Sequence, residues 1–184
     1  TREILADIVT DVAKSEGYSV ERPAAELIAL LAEGSFRDAL SILQKVLAVS
    51  SDKKIDIAEV EKVTGAPRAE LLRTILKAIT EKDAASALRA LAAAIEDNLD
   101  MRILTKLLIH RMRVVLLMRH APDLAEELGK ELSADDLALA KDLSKLPGAS
   151  SELLKALLEA HATMAYAAVP HLPLEMAIMD ICEK

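Results

Sequence analysis

Apolar residues recur every three or four positions along nearly the whole chain, the spacing of amphipathic helices rather than of strands. Ile4, Leu5, Ile8, Val9 and Val12 form the first such stripe. They predict a helix from about Arg2 to Glu16, ended by Gly17. Tyr18-Ser19-Val20 reads as a short extended link. A second helix opens near Pro23, a residue suited to a first helical turn, and carries Leu27, Ile28, Leu30 and Leu31 to Gly34. Phe36, Leu40, Leu43 and Leu47 make the stripe of a third, reaching about Val49. Ser50 to Lys54 is a polar loop. Asp56 then reads as an N-cap, with Glu59 completing a capping box, and a short helix runs to Gly65.

Ala66-Pro67 is read as a domain boundary, because a new helical series starts there. Leu71, Leu72, Ile75, Leu76 and Ile79 place a helix over about 68–81, and an Ala-rich one follows over about 83–97. A long helix spans Asp100 to about His120. Pro122 interrupts it, and 123–132 reads as a short helix plus a loop. Ser133-Ala134-Asp135-Asp136 is a capping sequence opening a helix to about Leu146, and Pro147-Gly148 breaks the chain. Helices over about 150–169 and 172–183 close it, separated by Pro170 and Pro173. The fold class is therefore all-α: about four helices in 1–66 and about five to seven in 67–184.

Composition narrows this picture. Hydrophobic residues are 52% of the chain but aromatics only 2%, so the core is built from Leu, Ile, Ala, Val and Met. Five Gly and six Pro are too few for a turn-rich sheet protein. A net charge of −7 argues against a freestanding duplex binder, whose affinity rests on neutralising phosphates. Cys182 is the single cysteine, so neither an internal disulfide nor a cysteine zinc cluster is available. It reads as a buried or interface thiol, compatible with a reducing cytoplasm. The chain opens directly on an amphipathic helix without an initiator Met or a leader pattern, which reads as a fragment or processed form. Met101 to Met118 has the length of a membrane span. Arg102, Lys106, His110, Arg111 and Arg113 within it rule out a lipid-facing helix, so no membrane partner is expected. That helix is apolar nearly all round, which suits either a domain core or a surface for neighbours. The last helix, with Leu174, Met176, Ala177, Ile178, Met179 and Ile181, poses the same choice.

The densest candidate chemistry lies in Gly34-Ser35-Phe36-Arg37-Asp38. Ser35 is a good N-cap, and Asp38 three residues on can return the hydrogen bond. Arg37 then sits in the first helical turn, where the macrodipole disfavours a cation by roughly 0.3–1 kcal/mol. From spacing alone two readings stand. Arg37 is a surface arginine paired with Asp38 or another acid, or it joins the free amides in binding a phosphate. Arg102, Lys106, His110 and Arg113 share one helix face, as a solvated stripe or a basic patch for DNA or an acidic partner. The histidines 110, 120, 161 and 171 have no metal-ligand spacing. Glu126, Glu127, Glu131, Asp135 and Asp136 read as solvated helix charges and caps. Ser35, Ser41, Ser150 and Ser151 have no base partner or nucleophile elbow.

The run GSFRDALSILQK resembles the sensor-2 helix of AAA+ clamp-loader ATPases, most closely the bacterial DNA polymerase III gamma/tau subunits. Val63 to Pro67, Leu71 to Ile79, Asp83 to Leu88 and Leu172 to Met179 are similar to the lid exit and collar of the same family. The resemblance implies an AAA+ lid over 1–66 and a collar, or oligomerisation, domain over 67–184. It makes Arg37 the sensor-2 residue at the terminal phosphates of a nucleotide, with Ser35 and Asp38 as its supporting cap. No GxxxxGK[ST] loop, Walker-B strand or zinc module is visible. In the family these belong to an ATPase core preceding the lid. ATP and magnesium are thus expected only with that core, and no activity from this fragment alone. The parent would be an AAA+ ATPase of the DNA polymerase III holoenzyme, in the cytoplasm. Its collar would join a five-subunit loader that places the sliding clamp on primed DNA, and the fragment would self-associate weakly. The alternatives are the lid and helical tail of a stator subunit or a remodelling helicase, or a non-catalytic helical interaction domain.

Overall fold

A computed structural model describes residues 1–129 and 134–183. The described residues form eleven helices and one pair of very short strands, in two compact units, Thr1–Ala66 and Pro67–Lys184. Among them no helix is long and apolar enough to cross a membrane.

The first unit contains α1 (Arg2–Ser15), β1 (Ser19–Val20), α2 (Arg22–Leu31), α3 (Phe36–Val49), β2 (Lys54–Ile55) and α4 (Ile57–Thr64). Helix α1 packs on α2 and α3, and α2 also meets α4. Small residues hold the contact lines: Ala6, Ala13, Ala24, Ala25, Ala29 and Ala39 are buried beside Leu5, Val9, Ile28, Leu43 and Val46. This narrows the apolar stripes. Ile4 and Phe36, both read as stripe residues, are 54% and 52% exposed, because alanines let the helices approach and leave no room for them. The strands pair in parallel, Ser19 with Lys54 and Val20 with Ile55. The Ser19 and Glu21 N–H groups donate to the Lys53 and Ile55 carbonyls, each at 2.9 Å. Two-residue strands carry no alternation, so the sequence shows them only as a link and a polar loop. At α4, Asp56 accepts from the Glu59 N–H at 2.9 Å. The reciprocal half of that box is replaced: the Glu59 carboxylate accepts from the Ser50 hydroxyl.

The second unit contains α5 (Ala69–Thr80), α6 (Ala84–Glu96), α7 (Met101–His120), α8 (Pro122–Gly129), α9 (Ala134–Leu143), α10 (Ser151–Thr163) and α11 (Leu172–Glu183). Helix α7 is its axis and packs against α5, α8, α9 and α10, while α11 lies on α10, α6 and α5. Leu104, Leu108, Met112, Val114 and Val115 of α7 are fully buried. The apolar surround of that helix is therefore spent inside the unit. Asp83, Asp100 and Ser150 cap α6, α7 and α10 by accepting from backbone amides. Two helices end sooner than their patterns suggest. Helix α9 stops at Leu143 rather than near Leu146. Helix α10 stops at Thr163, where the Tyr166 N–H closes a turn on the Thr163 carbonyl and Pro170 disfavours helix just before it. The side chains of Glu126 and Glu127, together with Glu131 and Ser133, lie outside the described residues.

Candidate phosphate site at the start of α3

A left-handed pair, Glu33 at φ 53° and Gly34 at φ 85°, turns the chain from α2 into α3. A Cβ on Gly34 would meet nothing within 4 Å, so glycine serves the backbone angle and not a close approach. Ser35 follows in extended conformation, and its Oγ accepts from the Asp38 N–H at 3.3 Å. The Ser35 N–H donates to the Ala32 carbonyl at 2.8 Å. The capping box read from Ser35 and Asp38 is thus half made. The donor that the Asp38 carboxylate would have taken is already used by the turn.

Phe36 and Arg37 form the first turn of α3, and both are exposed. Their backbone N–H groups have no acceptor among the described residues, as expected of a helix start. The Arg37 guanidinium likewise has no hydrogen-bond or ion-pair partner among the described residues. The pairing with Asp38 that spacing allowed does not form. What the turn presents is one unpaired cation and two free amides around the positive end of a helix dipole. That set suits the outer oxygens of a phosphate. It contains no carboxylate placed for a metal and no lysine. The set is that of an anion-binding helix start and nothing more. A separate open groove of about 410 Å³ between α1 and α3, lined by Val12, Tyr18, Leu40, Leu43 and Leu47, does not include Arg37.

The basic residues of α7 divide. Arg102 and Arg113 are exposed, and Lys106 and His110 are half-buried. Arg111, between them, turns inward. Its two terminal nitrogens bind the two carboxylate oxygens of Asp136 at 2.9 Å each, and one also reaches the Ala69 carbonyl. Arg73 of α5 donates to the same carboxylate at 3.1 Å. Asp136 is only 7% exposed, so it is no solvated helix charge: two guanidinium groups draw it inside. Burial pulls the Arg111 pKa below its ordinary value, the Asp136 charge opposes this, and Arg73 adds to it. The sequence holds a signal for this cluster. Arg111 lies four residues after Leu107 and three after Leu108, on the buried stripe of α7. Arg119, one further turn pair along, donates to the Ser144, Leu146 and Ala149 carbonyls.

Residues 5–52 match the family described as DNA polymerase III clamp loader subunit, ATPase lid domain. The chain is 26% identical over 185 residues to the DNA polymerase III subunit tau of Bacillus subtilis (strain 168), covering all of this chain and 32% of that protein. It is 34% identical over 83 residues to the DNA polymerase III subunit gamma/tau of Mycoplasma genitalium, covering 45% of this chain and 14% of that one. The chain thus spans a third or less of the length of these relatives. A solved structure, the Bacillus subtilis DNA clamp loader delta protein, aligns over the whole chain and 57% of its own with a TM-score of 0.50. At 18% identity that likeness concerns the fold alone.

Proposed function

We propose that the chain is a region of a DNA polymerase III clamp-loader subunit, and that its first unit acts as a lid that feels the terminal phosphates of a bound nucleotide through Arg37. One observation carries this reading: an exposed, unpartnered arginine on the capped first turn of α3, inside the stretch that matches the lid family. A triphosphate with its magnesium, supplied by an ATPase core, would bring the phosphoryl chemistry. Arg37 and the free amides of α3 would supply positive charge at its outer oxygens, and Ser35 and Asp38 would hold the turn. A lid that contacts the triphosphate better than the diphosphate is biased by it, as any two-state element is by a ligand preferring one state. In the full-length protein, Arg37→Ala is expected to weaken ATP-dependent clamp loading while circular dichroism and melting of the 184-residue chain stay unchanged. Normal loading by the variant would refute the role.

The second unit is proposed to join other loader subunits, and through the full assembly to reach clamp and primed DNA. Leu172, Met176 and Met179 follow one another at helical spacing along α11 and are 43%, 52% and 38% exposed, with Tyr166 at 92% nearby in sequence. Such a run of exposed large apolar residues is a usual mark of an association surface. The chain is expected to self-associate weakly at millimolar concentration in sedimentation experiments, and Met176→Glu to abolish this. A strictly monomeric parent chain would count against it.

A further inference from the structure

Helix α9 is seated unlike its neighbours. Its apolar contribution is small and has a buried carboxylate in its midst. Leu137 and Leu139 bound an arc of about 160° on a helical wheel, with Asp136 inside it, and both are half-buried. Ala140 and Leu143 complete its buried apolar contribution. A helix that fully buries only one leucine and one alanine gains little apolar stabilisation from holding a single register.

Its polar contacts are specific where its apolar ones are few. At the first turn Asp136 takes two hydrogen bonds from Arg111 and one from Arg73. At the far end Arg119 donates to the carbonyls of Ser144, Leu146 and Ala149 at 2.7, 2.5 and 2.5 Å. Both clamps match the helix dipole, with an acid at the positive end and a cation at the negative end. They also match in length. Arg111 and Arg119 are eight residues apart, as are Asp136 and Ser144, and each interval rises about 12 Å along a helix. The two fit together only when α9 runs in the same direction as α7. A slip of one residue would swing Asp136 by about 100° and slide it about 1.5 Å, out of reach of both guanidinium groups.

We propose that the two arginine clamps of α7, rather than apolar packing, fix the register and direction of α9. Buried charge networks elsewhere can be replaced by apolar groups without loss of stability, and setting register is their best-attested purpose. The test removes all three charges of the first clamp at once, as Arg73→Met, Arg111→Met and Asp136→Leu, so that no buried charge is left alone. The variant is expected to melt cooperatively within a few degrees of the parent. Its α9 backbone amides should give more than one NMR cross-peak each, or exchange with solvent at least ten-fold faster relative to those of α10. A single set of α9 peaks with unchanged relative exchange overturns the proposal. Failure of the triple variant to fold also overturns it, since the charges would then supply stability and not register.

Discussion

Gly148 offers the sharpest test of the packing in the second unit. Built onto its backbone, a Cβ would lie 2.0 Å from the Thr80 carbonyl oxygen and 2.9 Å from its carbon. Thr80 ends α5 and is 2% exposed, and its hydroxyl is bonded to the Leu76 carbonyl at 2.7 Å. The obstacle is backbone in a fixed helix, so it cannot swing aside as a side chain would. Relief requires one of the two segments to move by about 1.4 Å to restore an ordinary contact. Overpacking of this kind costs about 1–3 kcal/mol, and a backbone neighbour puts Gly148→Ala at the upper end. For a unit of this size each kcal/mol lowers the melting temperature by roughly 3–5 °C. A fall of about 6–15 °C in the transition assigned to the second unit is expected by calorimetry. Gly17→Ala is the control: its φ is +82° and nothing lies within 4 Å, so only backbone strain of about 1–2 kcal/mol is added, in the first unit. If Gly148→Ala melts within 1 °C of the parent, the close approach of the 147–149 turn to the end of α5 is wrong.

Two smaller effects follow from local geometry. Ser35→Ala removes the acceptor of the Asp38 N–H and is expected to destabilise the first unit by about 1 kcal/mol in urea titration, whereas Ser35→Asn restores most of it. Burial, then the charge of Asp83, pushes the Cys182 thiol above its ordinary pKa, so less of the reactive thiolate is present near neutral pH. Cys182 is expected to react with a thiol-exchange reagent several-fold slower than free cysteine at pH 7.5, gaining rate as pH rises; a rate equal to free cysteine would contradict its setting.

Helices were legible wherever a stripe and a stop signal coincide. Gly17, Gly34 and Gly65, all at positive φ, end the helices that their positions suggest. Asp83 and Asp100 cap as their spacing implies, because an N-cap is a local bond among four residues. Features that depend on distant partners were not legible. Asp136 looks like any first-turn acid until Arg73 and Arg111, 63 and 25 residues away, converge on it. The β1–β2 pair joins positions 35 residues apart with no pattern of its own. Phe36 shows the opposite error: its spacing fits the stripe of α3, yet alanines at the contact line leave it outside. Arg37 stands out in the sequence because a cation in a capped first turn runs against helix electrostatics, and that conflict is visible without any tertiary contact.

The strand pair sets where the first unit can be cut. Similarity to the lid family ends at residue 52, one residue short of the carbonyl that receives the Ser19 N–H and three short of Ile55, which is 0% exposed. A piece trimmed at that limit would lose a core side chain and strand the amides of Ser19 and Glu21 without acceptors. The match to that family thus stops before the folding unit does, and an excised first unit needs the stretch through α4.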